Sequence, residues 1–250
     1  MNVADLDDRR AVPLAMRDGI DEDTLLCEAC GYVIDGMPRD GQCPECGKAV
    51  AESLPERRDQ AASLLTLARR PLRTWASMRI EDSEVAGKRT AARCMAAGLV
   101  VSFAVVIGWV PWWITQLDIV TALFSTGVSA LAAIMAATIV CVLLIVLTWI
   151  ETCGLRFIGA RRGFRVTRDI AGTVCSHATL GWLAGSIVWL LGWILIGAGT
   201  LVEMLLPTGV VVVVAGLLVG LFAFEVLAYI GLRRCRFANR HRTKADTGED

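Results

Sequence analysis

Four long apolar runs dominate the chain from residue 92 onward, whereas the first ninety residues mix apolar and charged positions without any sustained run. A helix rising 1.5 Å per residue needs about 20 residues to cross a hydrocarbon core of about 30 Å. Ala92 to Ile114, Gly127 to Ile150, Ala178 to Gly199 and Gly209 to Gly231 are each long enough. Asp118 is the only charge between Ala96 and Ile150, and Glu203 and Glu225 are the only ones between Ile170 and Leu232. Trp109, Trp112 and Trp113 cluster where the first run ends and Trp149 closes the second, as expected of indole rings at the headgroup level. Pro207 and Gly209 are expected to make the turn between the third and fourth. The pattern predicts an all-α polytopic membrane protein, with four transmembrane helices over residues 92–232.

The third run carries a finer pattern. Gly181, Gly185, Gly192 and Gly199 recur at spacings of four and seven, which places them in one stripe of a helix. A stripe of small residues lets a neighbouring backbone approach closely. Gly216 and Gly220 repeat the four-residue spacing in the fourth run, so these two helices are expected to pair tightly. Glu225 lies half a turn around the helix from Gly216; if both were buried, the fourth helix would have to be sandwiched within the bundle. An intramembrane carboxylate is costly unless it is protonated, paired or hydrated. Glu225 is therefore the candidate functional carboxylate of a transport reading, and snorkelling to the interface is the competing one. His177, at the entrance of the third run, is expected to make an interfacial hydrogen bond, and Glu151 to anchor the end of the second run at the headgroups.

Charge adds an orientation. The chain is neutral overall, but Lys88, Arg89 and Arg93 precede the first run, Arg156, Arg161, Arg162, Arg165 and Arg168 fill the middle loop, and Arg233, Arg234 and Arg236 follow the fourth. The other two connections carry no lysine or arginine. The positive-inside rule then places both termini and the middle loop on the cytoplasmic side of a cell inner membrane.

Ahead of the membrane region, residues 1–24 are acidic and lack a signal-peptide core; they are expected to be a retained, disordered tail. Residues 51–91 read as a basic amphipathic juxtamembrane linker. Leu64, Leu65, Leu67 and Ala68 predict one short helix, and Pro71 can open a second. In that second helix Leu72, Trp75 and Ala76 share a face ringed by arginines, a pattern suited to lying on an anionic leaflet. Residues 233–250 form a basic cytoplasmic tail.

The remaining chemistry is in the cysteines. Of nine, Cys94, Cys141, Cys153, Cys175 and Cys235 are scattered singly and read as small buried or interfacial residues. Cys27, Cys30, Cys43 and Cys46 instead form two C-x2-C pairs within CEACGYVIDGMPRDGQCPECG. Two residues between cysteines let one tight turn offer both sulfurs to one metal, and two such turns give a tetrahedral thiolate site. Gly31 and Gly47 follow each pair, where a positive φ lets the turn fold back and backbone amides approach the sulfurs. Asp35-Gly36 and Asp40-Gly41 are turn signals between the pairs. The pattern predicts a small zinc ribbon over residues 25–50 with a structural Zn2+. The knuckles look like those of rubredoxin, which would suggest iron; the short gap between them and the single nearby aromatic, Tyr32, favour zinc.

Two resemblances rest on these motifs. The CxxCGY and CPECG knuckles resemble the N-terminal zinc-ribbon modules of many uncharacterised bacterial membrane proteins. From RRPLRTW through RFIGARRGFRVTRDIAG and the run that follows, the membrane half is similar in layout to the Yip family of multi-span proteins. That likeness implies membrane organisation or trafficking and carries no catalytic residues with it.

Several functions fit the composition poorly. The ribbon holds four acids against Arg39 and Lys48, which disfavours nucleic acid, whose binders need a basic footprint. No nucleophile and base are paired in the sequence, and four sulfurs leave no open metal position. The sequence reads as a non-enzymatic scaffold that contacts the lipid bilayer and a cytosolic or membrane protein partner. The alternative is a small transporter, or a subunit of one, using Glu225.

Overall fold

The computed structural model of the chain describes residues 24–58, 66, 71–116, 119–199 and 202–240. Nearly all of the acidic tail, the short helix expected around Leu64 to Ala68 apart from Thr66, the side chains of Trp109, Trp112 and Trp113, and the end of the basic tail lie outside the described residues. The described helices are α1 (Pro71–Ser77), α2 (Ser83–Gln116), α3 (Ile119–Arg161), α4 (Arg168–Ala178), α5 (Leu180–Gly199) and α6 (Leu205–Cys235). Among the described residues, four stretches are long and apolar enough to cross a membrane: Ser83–Gly108, Gly127–Arg161, Arg168–Gly199 and Leu205–Cys235. The chain is thus a multi-pass helical membrane protein. It divides into two compact units, one of Asp82–Thr152 with Gly172–Gly231, the other of Met1–Glu81, Cys153–Ala171 and Leu232–Asp250.

The helices outrun the apolar runs, because polar sequence with good helix formers continues them. α2 starts at Ser83 with Glu84 in its first turn, where a carboxylate favours the positive end of the helix dipole, and Glu84 pairs with Lys88 one turn on at 2.7 Å. α3 has 43 residues, about 64 Å at 1.5 Å per residue and twice the hydrocarbon thickness. None of its most apolar window is buried, so Leu131, Ile134 and Ile139 present a surface that a bilayer would cover. The third span is interrupted at Thr179, between α4 and α5. There the Thr179 hydroxyl donates to the Ser176 carbonyl at 2.6 Å, a back-bond that competes with the helix ladder.

The turn between the third and fourth spans is not made by Pro207 and Gly209. α6 already begins at Leu205, and the turn falls at Val202, with Leu205 N–H donating to its carbonyl at 2.9 Å. Pro207 sits in the first helical turn, where its missing N–H would lack an intrahelical partner anyway.

The glycine stripe does what its spacing predicts. A Cβ on Gly185 would lie 2.6 Å from Gly220 Cα and 2.7 Å from Gly216 O; one on Gly192, 2.6 Å from Val213 N; one on Gly199, 2.7 Å from Leu206 N. From the other side, a Cβ on Gly209 would lie 2.7 Å from Ile196 N, and one on Gly216 2.7 Å from Trp189 N. α5 and α6 therefore touch backbone to backbone along their length. Trp182 stacks on Phe224 near one end with ring centroids 4.7 Å apart, and its indole N–H donates to Thr148 Oγ1 on α3 at 3.3 Å. The same device recurs elsewhere: a Cβ on Gly98 would lie 2.8 Å from Ala137 O of α3.

In the other unit, the cysteine module is built around Cys27, Ile34, Cys43 and Val50, with Leu25, Met37 and Leu54 packed against them. It continues beyond residue 50 through 3-10 turns at Val50–Ser53 and Pro55–Arg57 to Arg58, itself 2% exposed. Trp75 is 0% exposed, and Met78 and Ile80 are also buried. The apolar face of α1, expected to lie on a leaflet, is therefore covered by protein at Trp75.

Candidate metal centre

Each knuckle is a miniature hairpin, and the two repeat one pattern. In the first, Gly31 N–H donates to Cys27 O and Cys27 N–H to Tyr32 O, both at 2.8 Å; in the second, Gly47 N–H donates to Cys43 O at 2.9 Å and Cys43 N–H to Lys48 O at 2.8 Å. A single antiparallel bridge closes each, Leu26 with Val33 and Gln42 with Ala49. Gly31 and Gly47 have φ of 79° and 71°, the left-handed region that costs an L side chain roughly 1–2 kcal/mol. Both glycines thus take the conformation expected of them. So does Gly36 at the turn between the knuckles, with φ 75°.

This geometry gathers the four predicted ligands. The sulfurs of Cys27, Cys30, Cys43 and Cys46 all lie within 4.8 Å of one another; Cys27 and Cys46 are 3.5 Å apart, Cys30 and Cys43 3.6 Å. A tetrahedral ion with metal–sulfur bonds of about 2.3 Å needs its sulfurs roughly 3.8 Å apart, so the residues fit a bound metal ion. Cys27 and Cys43 face inward, and Cys30 and Cys46 are exposed.

The electrostatics set the sulfurs apart from one another. Burial pushes the Cys27 thiol up, but hydrogen bonds from the amides of Cys30 and Ala29 and from neighbouring thiols outweigh it and bring it down to about 7. Burial pushes Cys30 up, against a hydrogen bond from the Tyr32 amide, and neighbouring thiols raise it further. Cys46 is likewise raised by burial, against the Lys48 amide. Cys27 is thus poised as thiolate while burial keeps the protons on Cys30 and Cys46, and a bound metal ion would release them. Tyr32 is 41% exposed but is not the only aromatic beside the knuckles: the Phe237 ring lies against Gly31 and meets Phe164 edge-on with ring centroids 5.9 Å apart.

Around the first knuckle lies a polar layer. The Asn239 side chain, 2% exposed, accepts from Leu26 N–H at 3.0 Å and from Arg165 Nη2 at 2.7 Å, and donates to Leu26 O at 2.7 Å and to Ser53 O at 2.6 Å. An amide has two donors and two acceptor sites, and here all four are used. Ser53 in turn accepts from Glu28 N–H at 3.2 Å, and its hydroxyl points to Cys27 Sγ at 3.9 Å. Arg58 pairs with Glu28 (side chains 2% and 8% exposed). It also donates to the carbonyls of Trp75 at 3.3 Å, Met78 at 3.4 Å and Arg234 at 3.1 Å, and to Cys235 Sγ at 3.6 Å. None of this layer stands out in the sequence. Arg58 and Asn239 sit inside charged stretches, which carry no periodic signal.

The other candidate residues lie elsewhere. His177 is buried in the bundle, its Nδ1 2.9 Å from Thr173 O and its Nε2 3.2 Å from Arg89 Nη1. A carbonyl can only accept and a guanidinium can only donate, so Nδ1 carries the proton; the hydrogen-bonding role expected of His177 is the one it has. Glu151 is half-buried. Glu225 is exposed on α6, away from the glycine face, so α6 need not be sandwiched. Comparison with known proteins gives no significant match to a family model, to a curated protein or to a solved structure.

Proposed function

We propose that this is a scaffold or protein-interaction protein of the cell inner membrane, whose four-cysteine module is a zinc ribbon facing the cytosol with both termini. The observation that carries the reading is the closed sulfur cage, in which four ligands fill the four positions of a tetrahedral ion and leave none for substrate. Zinc suits such a site, because its filled d shell has no redox function and serves structure alone. The orientation rests on the positive-inside distribution of arginine and lysine. Likeness in layout to the Yip family points the same way, toward membrane organisation.

The transport alternative rests on Glu225, and an exposed position on α6 gives it no enclosed path.

Metal analysis of the purified protein should return about one zinc per chain, and iron in its place would overturn the choice of metal. In-cell crosslinking comparing the native protein with a Cys27→Ser, Cys43→Ser variant should lose specific partners only in the variant. If Glu225→Gln abolishes function while the cysteine variant retains it, the scaffold reading fails. A membrane-impermeant thiol probe that labelled Cys30 and Cys46 in intact cells would refute the cytosolic placement.

A further inference from the structure

The segment from Arg234 to Asn239 lies along the first knuckle and engages it step by step. Arg58 joins Glu28 to the Arg234 carbonyl and the Cys235 sulfur. Arg236 Nη2 donates to Ala29 O, between the two cysteines, at 2.8 Å. The Phe237 ring lies so close to Gly31 that a Cβ there would stand 2.7 Å from Cε1. Asn239 takes both backbone groups of Leu26, the residue before Cys27, and reaches the Cys27 sulfur through Ser53. The second knuckle, the same in backbone pattern, differs here: among the described residues nothing lies within 4 Å of the place a Cβ on Gly47 would occupy. One half of the metal site is thus held from outside by a segment some two hundred residues away in sequence.

Such contacts are the outer layer of a metal site, the partners that fix how the ligands are presented and whose loss typically weakens metal binding 10- to 100-fold. We propose that Arg234 to Asn239, with Asn239 as its principal positioning residue, is part of the metal site, so that metal binding and docking of the segment depend on each other. The physical link is the backbone from Leu26 to Gly31. A metal ion fixes it by drawing the sulfurs of Cys27 and Cys30 together, and only in that conformation do Leu26 N–H, Leu26 O and Ala29 O meet Asn239 and Arg236. Linkage makes the effect reciprocal: whatever the docked segment adds to metal affinity, the metal adds to docking. Loss of metal would therefore free the chain where it leaves α6, a regulatory consequence that rests on the metal-site reading above.

The test uses the full-length protein in detergent, with Zn2+ itself as the probe against a competing chelator of known affinity. Asn239→Asp keeps the side-chain shape but replaces the two donors by an acceptor facing the Leu26 and Ser53 carbonyls, and zinc affinity should fall by about tenfold or more. Arg39→Ala, at an exposed ribbon position 76% open to solvent, should leave affinity unchanged. In the wild-type protein, hydrogen exchange across residues 232–240 should accelerate when zinc is removed and slow when it is restored, while Val210 to Phe222 of α6 stays constant. This second measurement needs no variant to fold. Equal affinity of wild type and Asn239→Asp, or equal exchange with and without zinc, overturns the coupling alone. Failure of the wild type to take up zinc at all overturns the metal site and the coupling with it.

Discussion

Replacing Gly216 by alanine adds one methyl group within the close α5–α6 contact. Its Cβ would lie 2.7 Å from Trp189 N, 3.0 Å from Gly185 O and 3.1 Å from Trp189 Cα. All three are backbone atoms and cannot rotate aside. Restoring an ordinary contact means parting the helices by roughly 0.7 Å, and a gap of that size forfeits a quarter to a half of the dispersion attraction at neighbouring contacts. Overpacking of this kind costs about 1–3 kcal/mol, and the better helix propensity of alanine returns up to about 1 kcal/mol. The expected net is a loss of about 1–2 kcal/mol. Gly220→Ala, four residues along the same helix, is the informative comparison. Its Cβ would meet Gly185 Cα at 3.3 Å and nothing else nearer than 3.6 Å, so the cost should nearly cancel the propensity gain. Gly87→Ala, with nothing within 4 Å, should stabilise by about 0.5–1 kcal/mol. Thermal unfolding in detergent, read by labelling of the buried thiols Cys94 and Cys175, should rank the three as Gly216→Ala below Gly220→Ala below Gly87→Ala. Equal shifts for the first two would refute the backbone-contact argument.

Four other outcomes follow from the cysteine unit. Gly36→Ala should cost about 1–2 kcal/mol from its positive φ alone, and Gly31→Ala more, because the added Cβ also meets the Phe237 ring; denaturant unfolding of the metal-loaded protein would separate them. Arg58→Met leaves the Glu28 carboxylate buried without its cation and should cost about 3–5 kcal/mol, part of which the further change Glu28→Gln should restore in the same assay. Trp75→Ala should cost about 3–5 kcal/mol as a core truncation, without changing binding to anionic vesicles; lost vesicle binding at unchanged stability would restore the leaflet reading. Adding zinc to metal-free protein at pH 7.5 should release the protons that burial keeps on Cys30 and Cys46, visible with a pH indicator. Because Cys27 also takes up a proton as pH falls through about 7, zinc affinity should weaken further below that pH.

The features legible in the sequence are those that repeat at a short period or a fixed spacing. Apolar length marks a span because the bilayer sets the length. Glycine spacing marks a helix contact because four residues nearly complete a turn, so the spacing shows which face of α5 is in contact, and the structure sets Gly185 and Gly192 on that face against α6. Helix ends are less legible, since polarity ends a span without ending a helix, and Ser83 to Ala91 continues α2 with no apolar signal. The surroundings of Trp75 are hidden for a related reason. A face of Leu72, Trp75 and Ala76 says that something apolar will cover it, but nothing in the local pattern distinguishes lipid from protein.

The two knuckles carry this furthest, because they are one local pattern in two surroundings. Cys27, Cys30 and Gly31 recur as Cys43, Cys46 and Gly47, with the same hydrogen bonds and nearly the same φ at each glycine. Spacing alone assigns them equal roles. Yet a methyl on Gly31 would strike Phe237, and one on Gly47 would meet nothing within 4 Å among the described residues. The difference comes from Arg234 to Asn239, whose residues have no period and pair with positions some two hundred residues away. Local spacing fixes what the sulfurs can bind, through turn geometry that needs only a few residues. What binding the metal accomplishes depends on which knuckle the distant segment grips, and that is decided by tertiary contact. Comparing Gly31→Ala with Gly47→Ala therefore separates the two contributions: both lose the left-handed turn, and only the first also disturbs the C-terminal segment.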